Sequence, residues 1–294
     1  MIHENLGLDS TRAKQLFEEI DIIVNGAATT NFYERYEYDV ALASNTFGTV
    51  HVCNFAKQCS HLKLLLHVST AYAAGCKQKG QILEKPLQMG QALKKGRCID
   101  IESELKLANE AKAKLVKAPS GTDTFHQQLE KVAMKELGLK RARYFGWPNV
   151  YAFTKAMGEM VLGTMRGDLP TVIVRPSIVK HFSRSVSWMD RRNQVLYLAN
   201  YLLLCGRFTK YHKKLNRSLN YLMFVAKLYS PYIFFKGRFD DANLRKLWGT
   251  GAGHSDGYVF NFDPNCINWR QYLFNTHIPV VLKEAARMKK DGRA

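Results

Sequence analysis

The 294-residue chain has no run of about eighteen apolar residues, so a membrane-spanning helix is not expected. Its opening residues, Met1-Ile2-His3-Glu4-Asn5-Leu6, lack the basic-then-apolar layout of a secretory signal. Acidic residues are scarce: 25 Asp and Glu stand against 43 Lys and Arg, a net charge of +18. That imbalance favours anionic ligands and surfaces, among them phosphates, acyl-CoA and lipid headgroups. The basic residues are spread along the chain without a nucleic-acid-binding motif, so nucleic acid is not an expected partner. Cys53, Cys59, Cys76, Cys98, Cys205 and Cys266 form no CxxC pair and no metal-ligand spacing. Free thiols in a reducing compartment follow, and no metal site. With 46% hydrophobic and 23% charged residues the chain is globular, and long enough for one large domain or two smaller ones.

Helical and strand patterns alternate. Thr11–Glu19 reads as a short helix with Leu16, Phe17 and Ile20 on one side. Asp21–Asn25 is a brief apolar run closed by Gly26-Ala27-Ala28, the pattern of a fully buried strand in a parallel sheet. Small residues at its C-terminal end admit close approach to the backbone, at the edge where open α/β sheets bind ligands. Tyr38–Ser60 is predicted as one long helix, in which Gly48 implies close packing. Lys63–Thr70 is the second strand and ends in two hydroxyls, Ser69 and Thr70. A hydroxyl there can hydrogen-bond a substrate carbonyl oxygen or cap the following turn. Successive strand residues face opposite sides, so only one of the two is expected to reach a substrate. His67 is assigned packing or hydrogen bonding and no further role.

Gly75–Arg143 interrupts this alternation. Within it, Asp100–Lys117 reads as a charged, solvent-facing helix, and Asp123–Leu137 as a second helix stopped by Gly138. A peripheral place is expected for both rather than a lid. Leu169–Ser177 is a third buried strand, stopped by Pro176. Strand, helix, strand in this order is a βαβ crossover.

Between the insertion and the third strand lies Trp147-Pro148-Asn149-Val150-Tyr151-Ala152-Phe153-Thr154-Lys155. Tyr151 and Lys155, four residues apart, share one face of a helix. An ammonium beside the phenol favours phenolate and is expected to lower the Tyr151 pKa toward working pH. Such a tyrosine can exchange a proton with a carbonyl or alcohol oxygen during hydride transfer.

Taken together, Asn25–Val52, Leu64–Gly75, Glu84-Lys85-Pro86, Tyr144–Leu162, Val172–Val179 and Phe224–Trp248 resemble the extended short-chain dehydrogenase/reductases. They are most similar to the plant-type alcohol-forming fatty acyl-CoA reductases, the male-sterility-related group. The resemblance implies an α/β fold: a Rossmann-like parallel sheet over residues 1–180, lacking its first βαβ part, followed by a mainly helical C-terminal domain over residues 195–294. It implies NADPH-dependent reduction of a long-chain acyl-CoA, through the aldehyde, to a primary fatty alcohol. Tyr151 matches the family's proton donor. Lys155 matches the residue that lowers its pKa and contacts the nicotinamide ribose. Thr70, with Ser69 as the alternative, takes the hydroxyl role. Gly26, Ala27, Ala28, Ser69, Tyr151, Lys155, Pro176, Ser177 and Ile178 are expected along the cofactor. The family works at the endoplasmic reticulum or in plastids, and a peripheral membrane contact and a homo-oligomer are further expectations.

The chain departs from the family pattern twice. The family's first strand and Gly-x-x-Gly-x-x-Gly turn, which hold a pyrophosphate at a helix N-terminus, have no counterpart before Asp21. The cluster Gly249, Gly251, Gly253 follows a Leu-Trp pair after a charged stretch and reads as a loop. After Val179, Lys180–Arg184 runs quickly into Val195–Ala199, so an internal segment is expected to be deleted. An inactive truncated homologue, or an interaction partner of an intact one, is therefore the alternative function. A reductase of sugars or flavonoids is a third reading, opposed by Phe224–Trp248.

In the C-terminal part, Leu196–Leu203 and Leu219–Leu228 suggest helices, and Pro231–Phe235 adds exposed-looking aromatics. An acyl-chain tunnel or a membrane contact aided by Lys210, Lys213, Lys214 and Arg217 is one reading. An ordinary helical core with basic faces is the favoured one. Asn268 is expected to cap a helix that starts at Trp269.

Overall fold

The computed structural model describes residues 3–30, 37–76, 80–116, 123–177, 232, 235–251, 267–280 and 283. The chain divides into two compact units, Met1–Phe239 and Asp240–Ala294.

The first unit opens with α1 (Ser10–Glu19), capped by the Asp9 carboxylate, which accepts from the amides of Thr11 and Arg12. Its described strands are β1 (Ile22–Asn25), β2 (Leu64–Val68), β3 (Gly80–Ile82), β4 (Thr171–Val174) and β5 (Gly237–Phe239). β1, β2 and β4 form one parallel sheet in the order β1-β2-β4, with Asn25 beside His67 and His67 beside Ile173. Two further bonds, Ser69 N to Val174 O at 2.7 Å and Ala71 N to Pro176 O at 2.9 Å, carry the β2–β4 pairing past the strand ends. The α/β reading therefore holds.

The strands are not buried on both faces as their apolar runs predict. The helices between them pack on one face only, where Leu65, Ile23 and Ile173 meet Val52, Cys53, Ala56 and Leu162. On the other face Ile22 is 57%, Val24 64%, Val172 46% and Val174 41% exposed, and no described element covers them. Both crossovers lie on one side of the sheet, and apolar composition alone does not say on which side a helix will lie.

Helical structure runs from Tyr38 to Ala56 as α2 (Tyr38–Ala41), a widened π segment (Leu42–Phe47) and α3 (Gly48–Ala56). The insertion folds as α4 (Ile101–Val116) and α5 (Asp123–Phe145). Gly138 does not stop α5, contrary to the sequence expectation. It lies inside the helix, where a Cβ would come within 2.9 Å of Tyr38 Cβ and Val150 Cγ2. The glycine therefore serves close packing. Nor is α4 simply solvent-facing: Glu104 and Ala108 are buried. Tyr38 Oη donates to Glu104 Oε2 at 2.7 Å, and Arg141 forks onto the same carboxylate. Lys112 joins Asp39 of α2 at 2.9 Å to Glu130 of α5 at 2.8 Å. The insertion is thus tied to the core by charge pairs as well as by Ile101, Ala108, Ala142 and Phe145, which join the main hydrophobic cluster.

Tyr232 and Phe235 are buried against Tyr72, with the Tyr72 and Tyr232 rings 4.3 Å apart. β5 then pairs in parallel with β3. These two aromatics therefore belong to the core of the first unit rather than to its surface. The helices expected over Leu196–Leu203 and Leu219–Leu228 lie outside the described residues.

In the second unit a helix spans Ala242–Gly251, so Gly249 and Gly251 close a helix rather than form a loop. Glycine costs about 1 kcal/mol in a helix interior, less where the last turn frays, and the preceding turns carry the element. Asn268 Oδ1 accepts from Gln271 N at 3.1 Å and caps Trp269–Tyr272 as expected. Among the described residues no helix is long and apolar enough to cross a membrane.

Candidate active site

α6 (Val150–Met165) carries the Tyr/Lys pair and is buried along Ala152–Leu162. Asn149 starts it, accepting from Ala152 N at 2.9 Å while its Nδ2 donates to Tyr232 Oη at 2.6 Å. Trp147 Nε1 donates to Ala73 O at 3.0 Å, tying the approach to α6 to the turn that follows β2. At Gly158 a Cβ would stand 2.5 Å from Asn45 O, so only glycine lets the π segment lie this close. Asn45 there bridges three elements: its Oδ1 accepts from Thr29 N at 2.9 Å and its Nδ2 donates to Thr154 Oγ1 at 2.9 Å.

Two residues along a strand advance about 6.6 Å and four along a helix about 6 Å. His67 and the residue two beyond it, Ser69, therefore meet Lys155 and Glu159 of α6 in step. Lys155 Nζ lies 3.4 Å from His67 Nε2, and the Asn25 amide lies 3.0 Å from His67 Nδ1. Ser69 Oγ donates to Glu159 Oε1, and Arg175 Nε donates to the two Glu159 oxygens at 3.0 and 3.1 Å. The side chains of His67, Lys155 and Glu159 are each about 1% exposed. Burial brings the Lys155 pKa down to about 8, Glu159 opposing the shift. Burial, reinforced by the Lys155 charge, brings His67 down to about 3, so its ring is neutral. The Tyr151 phenol is moved up by burial, not down as the spacing predicts. The Lys155 amine is turned to His67 and Glu159, and burial dominates at the phenol.

The parallel sheet gathers the other expected residues at one edge. Gly26, Ala27 and Ala28 follow β1, Ser69 and Thr70 follow β2, and Pro176 and Ser177 follow β4. Gly26, Ala27, Pro176 and Ser177 are exposed there, and a Cβ at Gly26 would meet nothing within 4 Å. Thr70 Oγ1 caps the turn Ala71–Ala74, 3.4 Å from Tyr72 N, while the Ser69 hydroxyl is engaged by Glu159. Ile178 lies outside the described residues. The open backbone after β1 fits the close approach of a nicotinamide–ribose group. Outside this edge, Glu37, Asp39 and Glu130 converge within 4.8 Å, and Lys112 already pairs with two of them, Asp39 and Glu130.

Sequence reasoning passed over Asn25, Asn45, Asn149, Glu159, Arg175 and Tyr232, while His67 is buried and hydrogen-bonded as expected. The i,i+4 spacing of Lys155 and Glu159, and the strand-end position of Arg175, were usable signals. Nothing in the sequence places Tyr232 beside Asn149.

The chain matches an NAD-binding family model described as Male sterility protein over residues 1–224, and a second model of the same description over residues 195–283. It is 31% identical to the alcohol-forming fatty acyl-CoA reductase of Simmondsia chinensis over 401 positions, covering 95% of this chain and 80% of that one. It is 51% identical to the putative fatty acyl-CoA reductase 7 of Arabidopsis thaliana, covering 80% and 84%. With the chloroplastic fatty acyl-CoA reductase 2 of Arabidopsis thaliana it shares 46% identity over 63% of this chain and 30% of that one. An alignment of 401 positions exceeds the 294 residues present, so the Simmondsia protein carries sequence with no counterpart here.

Proposed function

The chain belongs to the male sterility protein family, and on that premise we propose that it is a fatty acyl-CoA reductase that forms alcohol, with Tyr151 and Lys155 at its reaction centre. The observation that carries the reading is the buried Lys155, one helical turn after Tyr151, reaching the edge of a parallel sheet whose strand ends are open. The cofactor is a nicotinamide dinucleotide, which supplies hydride when bound, and NADPH is the form that the family resemblance implies.

The chain's own residues do the remaining work. Gly26–Ala28 and Pro176–Ser177 line the nicotinamide–ribose end, and the Lys155 ammonium donates toward the ribose. The Thr70 hydroxyl donates to the carbonyl oxygen, because Ser69 is held by Glu159. Tyr151, kept protonated by burial, gives its proton to the oxygen that becomes the hydroxyl. Acyl-CoA to aldehyde releases the CoA thiol; aldehyde to alcohol repeats the hydride and proton delivery. A partial sheet domain ending near residue 180, a helical domain from residue 195, and a plastid or endoplasmic-reticulum location complete this reading.

The test is titration of the purified chain with NADPH and NADH, followed by nicotinamide fluorescence, and then turnover of a long-chain acyl-CoA. Saturable binding with NADPH preferred is expected. Tyr151→Phe should lower turnover by a factor of about 100 or more without loss of fold. A folded chain that binds neither dinucleotide, or a Tyr151→Phe variant with undiminished turnover, overturns the proposal. The former outcome favours a reductase-derived chain that acts through a partner.

A further inference from the structure

His67 lies at the centre of a buried polar line that runs from Asn25 on β1, through β2, to Lys155 on α6. Its two ring nitrogens are both in use, with Asn25 Nδ2 at 3.0 Å on Nδ1 and Lys155 Nζ at 3.4 Å on Nε2. An ammonium has three donors and no acceptor. A charged Lys155 therefore requires Nε2 to accept, which puts the single proton of the neutral ring on Nδ1. A half-turn of the Asn25 amide, which puts Oδ1 where Nδ2 now stands at 3.0 Å and leaves its plane unchanged, gives that proton an acceptor and holds the tautomer. A protonated ring is excluded in this place, because two cations would stand 3.4 Å apart at about 1% exposure each.

The neighbouring acid does not take over this task. Glu159 lies one turn further along α6, and its oxygens already accept from Ser69 Oγ and from the Arg175 guanidinium. The groups that face the Lys155 amine are thus His67 from β2 and Glu159 from α6, with Glu159 itself neutralised by Arg175 from the end of β4. Among the described residues, His67 Nε2 is the acceptor within reach of Lys155 Nζ.

We propose that His67 is the positioning residue of Lys155: a neutral imidazole, its tautomer set by Asn25, that accepts one ammonium hydrogen and aims the other two at the strand-end edge. This rests on the reading of Tyr151 and Lys155 as the reaction centre. His67 touches neither substrate nor cofactor; it acts through the lysine. The role goes beyond packing, since a side chain that merely filled the space would not need an acceptor at this atom.

The test uses the full chain and two independent readouts. In the first, turnover of a long-chain acyl-CoA with NADPH is followed across pH for wild type, His67→Leu and His67→Gln. His67→Leu removes the acceptor and is expected to lower kcat/KM roughly 100-fold, the effect of a misaimed group. It also moves the basic limb of the pH profile down, because the ammonium loses the partner that favours it. His67→Gln, which keeps an acceptor oxygen, is expected to recover most of that loss. In the second readout, the His67 ring is followed by 15N NMR in wild type and in Lys155→Met. The wild-type ring stays neutral across the neutral range with its proton on Nδ1, and Lys155→Met shifts the Nε2 resonance and raises the ring's titration midpoint. A His67→Leu variant with wild-type kcat/KM and pH profile overturns the proposal, as does a wild-type ring protonated on Nε2 at pH near 7. If wild type shows no turnover, or Tyr151→Phe keeps it, the reading of the reaction centre has failed. The NMR readout then decides the role of His67 alone, and it does so equally if His67→Leu does not fold.

Discussion

Replacing Lys155 with Met is expected to abolish turnover and at the same time stabilise the fold. The lysine side chain is about 1% exposed, and burial brings its pKa from 10.5 to about 8. Lowering a pKa by one corresponds to about 1.4 kcal/mol between the charged and neutral forms. Near neutral pH the lysine is protonated in both folded and unfolded chains, so the folded state carries the whole charging penalty, about 3 kcal/mol. Methionine fills similar volume without a charge. Glu159 keeps Arg175 as its partner in the variant, and the one bond lost, to His67, is worth about 1 kcal/mol. A net gain of about 2 kcal/mol at pH 7 follows. The pH dependence has a definite sign. Between the folded and unfolded pKa values the unfolded chain binds more protons than the folded one, so wild-type stability rises with pH there. The advantage of the variant is therefore largest below pH of about 8, and near zero by pH of about 10. Urea denaturation of both chains at several pH values measures this directly. A variant less stable than wild type at pH 7, or a difference that does not change between neutral and alkaline pH, refutes the reasoning.

Two further perturbations test the packing that positions the site. Gly158→Ala places a Cβ 2.5 Å from Asn45 O, a backbone atom that cannot swing away. A loss of about 1–3 kcal/mol in urea denaturation is expected, and a change below about 0.5 kcal/mol would show that the π segment gives way freely. Arg141→Met leaves the buried Glu104 carboxylate without its guanidinium and is expected to cost about 3–5 kcal/mol. Adding Glu104→Gln should recover much of that loss; no recovery would mean that the arginine acts through its packing on Tyr144 and Phe145.

Legibility in the sequence followed the range of the interaction concerned. Strand periodicity and strand ends are local properties, so β1, β2 and β4 and the residues at their C-terminal edges were readable from short windows. So were the Tyr151/Lys155 spacing and the Asn268 cap. The readings that failed each depended on a distant partner. Gly138 has the residue type of a helix stop, yet it is needed inside a helix because Tyr38, far earlier in the chain, packs against it. Glu104 sits in a charged, Ala-rich stretch that looks solvated, yet it is buried where Tyr38 and Arg141 converge. Tyr232 is one of several aromatics in an apolar run until Asn149 gives its hydroxyl a place.

What the sequence by itself determined is the class of fold, the order of its elements, and the pair of residue types that fits proton delivery beside a hydride donor. Those follow from backbone periodicity and side-chain chemistry, which act within a few residues. Only the tertiary structure decided the electrostatics of the pair. Spacing alone puts an ammonium beside a phenol and predicts a lowered tyrosine pKa. The fold instead buries the lysine and half-buries the phenol, turns the lysine to His67, and moves the phenol pKa upward. Burial depends on every element packed around the site, and so does the one bare face of the sheet, where Val24 and Val172 remain exposed although their neighbours in sequence are apolar.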